Sequence, residues 1–404
     1  MPIEELETLP PFINLYPPDN NGRQIDAFLV KDASVVSNSL VYPTILLSHA
    51  SSPRIVRPIN ETIMSLRDVS AIDDYELQPI RSRQDSPVFF FGYNVENYYH
   101  FLYDTLPYLI SYFKLKEKEP DLKLLMGYPN AHKKEHYKFV REFLELAGVQ
   151  PADIIQMEHN CAYARLYLST SYTHAGKSNL PPRAEVYKLY EKMAQRSRQY
   201  QKDPAPRKIY ISRRTWMHND FSNIGTNYTT RRSLVNETDL VDYLAGEGYT
   251  EVFTENLSTV EKINMFNRAT HIVGALGGGI ANALFATPDT KVTAIESPGF
   301  LEVNKRFLYA LGRVDLDIFR ETSHSESGDF LKYMRVKSGD IIGEIADISG
   351  DSITISYTDD FVAGWNNDGE YKHTIVKGDD CVKLDSGLNS AWQVDMESFR
   401  RGGY

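Results

Sequence analysis

The residues of this chain best suited to chemistry lie on one short segment, Asn97-Tyr-Tyr-His100-Phe-Leu-Tyr-Asp104. An imidazole beside a carboxylate is a proton-transfer pair in which the acid fixes the ring tautomer. Asp104 alone could also activate a hydroxyl. On a helix of about 100° per residue counted from Asn97, His100 falls at about 300° and Asp104 at about 340°. Asn97, His100 and Asp104 then share one narrow face. Tyr99, Leu102, Leu106, Leu109, Ile110 and Phe113 form an apolar stripe between about 120° and 220° on the other side. The spacing predicts a helix that buries one side and aims three polar groups into a cleft. The structural alternative is a polar network tying the helix to its neighbours. His-x-x-x-Asp supplies two metal ligands and no convincing third nearby, so metal binding is a weak reading.

A second group surrounds a strand end. Lys208-Ile-Tyr-Ile-Ser212 reads as a strand followed by Arg213 and Arg214. In an open α/β sheet the carboxyl ends of strands border the ligand crevice, and a guanidinium fork suits a diphosphate there. Arg231 and Arg232 add positive charge before Asn236 and Glu237. His271-Ile-Val-Gly274 reads as another strand, and Gly277, Gly278 and Gly279 form a turn ahead of a helix containing Asn282. Glycines let a backbone approach a ligand, and a helix start offers free N–H groups to an anion. They equally suit a tight junction with no ligand. Glu296 ends the next strand, Lys291–Ile295, where it can accept from ribose hydroxyls or lie in a surface loop. The loop is not Gly-x-Gly-x-x-Gly, because Asn282 stands at the final position, so dinucleotide redox chemistry ranks below sugar-nucleotide binding.

Such groups need a scaffold, and the chain has room for one. Its 404 residues suggest two or three domains. Hydrophobic residues at 42% and charged residues at 24% describe a folded globular protein. The net charge of −10 argues against a binder that tracks nucleic-acid backbones. Cys161 and Cys381 are too few and too distant in sequence for a metal cluster or disulfide framework. The acidic N-terminus does not read as a signal peptide, and no apolar run is long enough to span a membrane. The sequons at Asn60, Asn227, Asn236 and Asn256 are therefore read as chance.

Strand and helix patterns alternate from Val88 onward, as in a mostly parallel, doubly wound sheet. Helices are expected near 134–147, stopped by Gly148, then at 182–200, from Asn236 to Ala245, and at 259–269 behind a capping box at Ser258 and Glu261. The prolines of Gln201–Arg207 mark the best boundary. The expected organisation is a β-rich preface at 1–80, an α/β domain at 81–205, a second at 206–325, and a β-rich extension at 326–404.

At these residues the chain resembles glycosyltransferase family 61, from roughly Phe89 to Phe300. The resemblance rests on the order of Asn97-Tyr-Tyr-His100 with Asp104, Arg213, Asn236-Glu237, the Gly274–Phe285 loop and Glu296. It implies a GT-B-like pair of Rossmann-type domains and an inverting transferase. The donor is a nucleotide sugar, UDP-linked, and the acceptor is a glycan or other hydroxyl compound. Donor contacts would come from Arg213, Arg214, Asn236, Glu237, Gly277, Gly278, Gly279, Asn282 and Glu296. No metal or other cofactor is implied; no nucleic acid or transmembrane segment is expected, and the expected location is cytoplasmic, peripheral to a membrane-associated glycan assembly system. The acceptor would face Asn97, His100 and Asp104. His100 is the first choice for base because imidazole titrates near neutrality, with Asp104 orienting it or acting as base itself. One departure stands out. The family loop resembles Gly-x-His-Gly-Ala-Gly-Leu-Thr-Asn, and Leu276 holds its histidine position here. The alternative is a noncatalytic sugar-nucleotide or glycan-binding protein on the same kind of fold.

Overall fold

Short runs of β-branched and aromatic residues make the strands that carry both candidate groups. The computed structural model describes residues 4–5, 12–36, 44–47, 54–56, 80–91, 95, 97–127, 136–158, 160–173, 181–200, 205–214, 233–296, 301–324, 335–357, 372–383 and 391–403. Arg231, Arg232, the sequons at Asn60 and Asn227, and the linker residues Gln201–Pro204 lie outside the described residues. The fold is mixed α/β with several sheets. The chain divides into two units. One comprises Met1–Lys202 with Thr259–Asn264 and Leu308–Gly312, and the other comprises the remainder.

In the first unit Val88–Phe90, Lys123–Met126 and Ile154–Gln156 pair in parallel, in that order. Cys161–Ser169 adds in parallel on the other side of Val88–Phe90. Val88–Phe90 and Leu124–Met126 are buried and apolar, as central parallel strands covered on both faces require, while the outer strand Ile154–Gln156 is half-buried. The twelve-residue strand Ile25–Val36 runs antiparallel to Cys161–Ser169, from Ser169 opposite Ala27 to Tyr163 opposite Ala33. The N-terminal strands thus extend a ten-stranded mixed sheet, where a parallel, doubly wound sheet is expected from the alternation. Antiparallel pairing needs no crossover helix, so a strand from the chain start can close this edge directly. Helix Lys138–Ala147 stops at Gly148, whose φ of 102° is left-handed and whose amide bonds back to Leu144 and Glu145.

The second unit holds a five-stranded parallel sheet in the order Thr250–Val252, Lys208–Ile211, His271–Ala275, Lys291–Ile295, Asp315–Phe319. A separate antiparallel sheet runs from Arg335 to Lys383 around Val336, Ile345, Ile353 and Ile355. The last residues do not stay with it, although 326–404 is expected to form one extension. Ala391–Val394 pairs with Ser233–Leu234 and Thr322–His324, and helix Met396–Gly402 follows. Trp392, Val394 and Phe399 join Tyr210, Leu240, Val273, Ile295 and Phe319 in one core. Burial of these three large apolar side chains draws the chain end back to the parallel sheet.

Candidate functional site

The two candidate groups lie in separate units. In the first unit, the segment after Val88–Phe90 forms a short α-helical stretch, Tyr98–His100, then one π-helical turn, Phe101–Thr105. In that turn the amide of Leu106 reaches the carbonyl of Phe101 at 2.8 Å. Pro107 precedes helix Tyr108–Lys116. Such widened turns recur at functional sites. Tyr190, on helix Ala184–Arg198, donates its hydroxyl to the Leu102 carbonyl at 2.6 Å and so supplies a partner within the turn.

This turn brings together the pair that the spacing singles out. His100 Nδ1 donates to Asp104 Oδ2 at 2.7 Å. A carboxylate only accepts, so the bond places the ring proton on Nδ1 and leaves Nε2 as the basic nitrogen. The His100 side chain is 35% exposed and that of Asp104 is 7% exposed. Asp104 Oδ1 accepts from the Thr173 hydroxyl at 3.1 Å. Asn97 has a different part. Its side chain accepts from the His100 amide at 3.2 Å and caps the helix start.

The expected two-sided helix is corrected here. Phe101, Leu102, Tyr103, Asp104, Thr105, Leu106 and Tyr108 are all buried, so the segment is wrapped on most sides. Phe101 packs on Phe91, Phe139 and Phe143, which closes a side that helical angles alone leave open. Of the three polar groups, His100 keeps substantial exposure while Asp104 is sealed beneath it.

In the second unit Glu237 organises the strand end. Its Oε1 accepts from the Tyr210 hydroxyl at 2.9 Å, the Ser212 hydroxyl at 3.0 Å and the Arg213 amide at 2.6 Å. Burial raises the Glu237 carboxyl above its ordinary 4.5, with these donors opposing. The folded protein then holds a proton there that the unfolded chain has released. Stability from this group is present below pH 4.5 and falls as pH rises through the raised value. Urea midpoints of the parent are therefore expected to decline relative to Glu237→Gln as pH rises above 4.5. Parallel pH curves for the two proteins would remove Glu237 as the source.

Arg213 is half-buried, and burial lowers its guanidinium against the pull of Glu237, Tyr210 and Glu255. Arg214 is engaged by Glu251, with Nε on Oε1 at 3.0 Å and Nη2 on Oε2 at 2.7 Å. Asn236 stands at the start of helix Glu237–Gly246 without a side-chain cap. It pairs instead with the Val394 backbone, donating at 2.7 Å and accepting at 3.1 Å. Glu296 is partly buried at the end of Lys291–Ile295, with Arg320 at 3.4 Å.

The glycine loop differs from its expected form. Gly277, Gly278 and Gly279 lie in a turn, and the following segment is a six-residue 3-10 helix, Ile280–Phe285, not an α-helix. The amides of Ala281 and Asn282 already bond the carbonyls of Gly277 and Gly279, so an open helix start is absent at these positions. A Cβ on Gly279 would meet Ile211 Cγ2 at 2.8 Å, and one on Gly274 would meet Ile211 Cβ at 3.0 Å. Both glycines make room for the neighbouring strand. Asn282 is fully buried, and its side chain donates to the Gly279 carbonyl at 2.8 Å. Leu276 is 1% exposed.

Sequence reasoning missed Thr173, Ser171 and Tyr190. The hydroxyl run Ser169-Thr-Ser-Tyr-Thr173 after an apolar strand was the available signal. Among the described residues, no group of three or more His, Cys, Asp or Glu could hold a metal ion. No helix among them is long and apolar enough to cross a membrane.

The described residues form a mixed α/β fold, with the bonded His100–Asp104 pair in one unit and Arg213 after the strand Lys208–Ile211 in the other. The family model described as Glycosyltransferase 61 matches residues 98–293, which bears out the family resemblance. The match includes His100, Asp104, Arg213, Glu237 and Gly277–Gly279, and stops short of Glu296. It supports a glycosyltransferase-type function. No curated protein matches the chain.

Proposed function

We propose that this protein is an inverting glycosyltransferase moving a sugar from a nucleotide-sugar donor, UDP-linked, to a hydroxyl of a glycan or other acceptor. The observation that carries this reading is the buried Asp104 carboxylate on Nδ1 of the partly exposed His100, inside the matched segment. The reading goes with a GT-B-like assignment, acceptor contacts at 81–205 and donor contacts at 206–325. His100 Nε2 takes the acceptor hydroxyl proton as that oxygen bonds the anomeric carbon. The bond from that carbon to the diphosphate breaks on the opposite face, and the diphosphate leaves with the electron pair. Arg213 meets its growing charge. Asn236 and Asn282 serve the site through the backbone they hold, and Arg214 through its ion pair with Glu251.

A panel of nucleotide sugars tests this, read by nucleotide release and product mass. Arg213→Ala is expected to weaken donor binding by about 1–3 kcal/mol, measured by calorimetry on folded protein. Equal affinity removes Arg213 from the donor site. A noncatalytic binding protein is the second reading. It is favoured by the buried Leu276, which can neither donate nor accept where the family pattern has histidine. Donor binding without product for any acceptor would establish it.

A further inference from the structure

Among the described residues, two side chains meet the Asp104 carboxylate from different directions. Oδ2 meets His100, four residues back on the same turn. Oδ1 meets Thr173, 69 residues further along the chain. Thr173 follows the strand Cys161–Ser169, which pairs with Val88–Phe90 and so brings the two segments to neighbouring strand ends. Thr173 is itself restrained. It is 1% exposed, and its amide donates to the Ser171 hydroxyl at 3.2 Å, with Ser171 also 1% exposed. Next to this turn, Ser111 Oγ lies 2.7 Å from Ser169 Oγ and 2.9 Å from the Tyr172 hydroxyl. The Thr173 hydroxyl therefore reaches Asp104 from a hydrogen-bonded, buried turn.

A carboxylate turns readily about its last side-chain bond, because that torsion has broad wells. The Thr173 hydroxyl on one oxygen restricts this rotation and keeps the other oxygen in line with the imidazole. We propose that Thr173 is a positioning residue that fixes the plane of the Asp104 carboxylate, and through it the Nδ1–H tautomer of His100. It does not touch the reacting atoms. The proposal rests on the reading of His100 as the base, because only then does the tautomer govern transfer.

The test compares Thr173→Val, which keeps the shape and removes the hydroxyl, with Thr173→Ser, which restores it. Thr173→Val is expected to lower kcat about 10- to 100-fold with donor KM unchanged, as for loss of a group that only orients another. Nitrogen NMR of the His100 ring should show Nδ1–H in the parent and in Thr173→Ser. A mixture with Nε2–H is expected in Thr173→Val. If Thr173→Val fails to fold, Thr173→Ala carries the same comparison. Parent-like tautomer in the folded hydroxyl-less variant overturns the proposal, as does failure of Thr173→Ser to restore both readouts. The NMR measurement needs no turnover. A parent that transfers no sugar therefore counts against the transferase reading alone, and the tautomer still decides the role of Thr173.

Discussion

His100→Ala and Asp104→Asn are expected to lower product formation on the order of 10²–10⁴-fold, the range for a lost proton transfer. Donor affinity should stay near the parent value, because the proposed donor contacts lie in the other unit. The two variants act by different routes. His100→Ala removes the nitrogen that takes the proton. Asp104→Asn can turn its amide nitrogen toward Nδ1, which makes Nδ1 the acceptor and places the ring proton on Nε2. The base is then present in the wrong tautomer. Turnover must be paired with donor affinity and a folding check, since Asp104 is buried. Normal turnover in both variants would exclude the pair from catalysis. Loss in Asp104→Asn alone would make the carboxylate the base and leave His100 without an essential part. If both lose activity, the double variant should lose little more than either, because the two groups act as one unit.

Trp392→Ala is expected to cost about 3–5 kcal/mol of folding stability, the range for deleting a fully buried aromatic. Trp392 is 0% exposed and lies in the core that includes Tyr210, Val273 and Ile295. Among the described residues its Nε1 has no hydrogen-bond partner, so its contribution comes from packing. Ile375 is the control. It is 73% exposed on the separate antiparallel sheet, and Ile375→Ala should stay within about 0.5 kcal/mol of the parent. Urea unfolding of the three proteins gives the comparison. A loss below about 1 kcal/mol for Trp392→Ala would contradict its place in the core of the parallel sheet.

Local order was legible in the sequence because it depends on neighbours along the chain. Apolar runs bounded by proline, glycine and asparagine marked Val88–Phe90, Lys123–Met126, Lys208–Ile211, His271–Ala275 and Lys291–Ile295. The helix stop at Gly148 was legible because a left-handed residue after an apolar stripe favours glycine. The i, i+4 spacing of His100 and Asp104 placed them within reach, and they do bond.

The tertiary structure decided what those groups can do. Helical angles gave the Asn97–Asp104 segment an open polar face. Packing of Phe101 on Phe91, Phe139 and Phe143 closed part of it, with Asp104 buried and Asn97 and His100 partly exposed. Gly274 and Gly279 are packed against Ile211, more than sixty positions away in sequence. Tertiary contacts likewise place Thr173 on Asp104, Glu237 beneath Arg213, and Trp392 in the core. Each contact joins residues whose separation carries no periodic signal, because chain distance fixes neither direction nor burial. Folding brings them together when the sheets form and apolar surface leaves water. The sequence by itself determined which residues could do chemistry, and the tertiary structure decided which of them hold the scaffold and that the His100 side chain stays partly exposed above a buried Asp104.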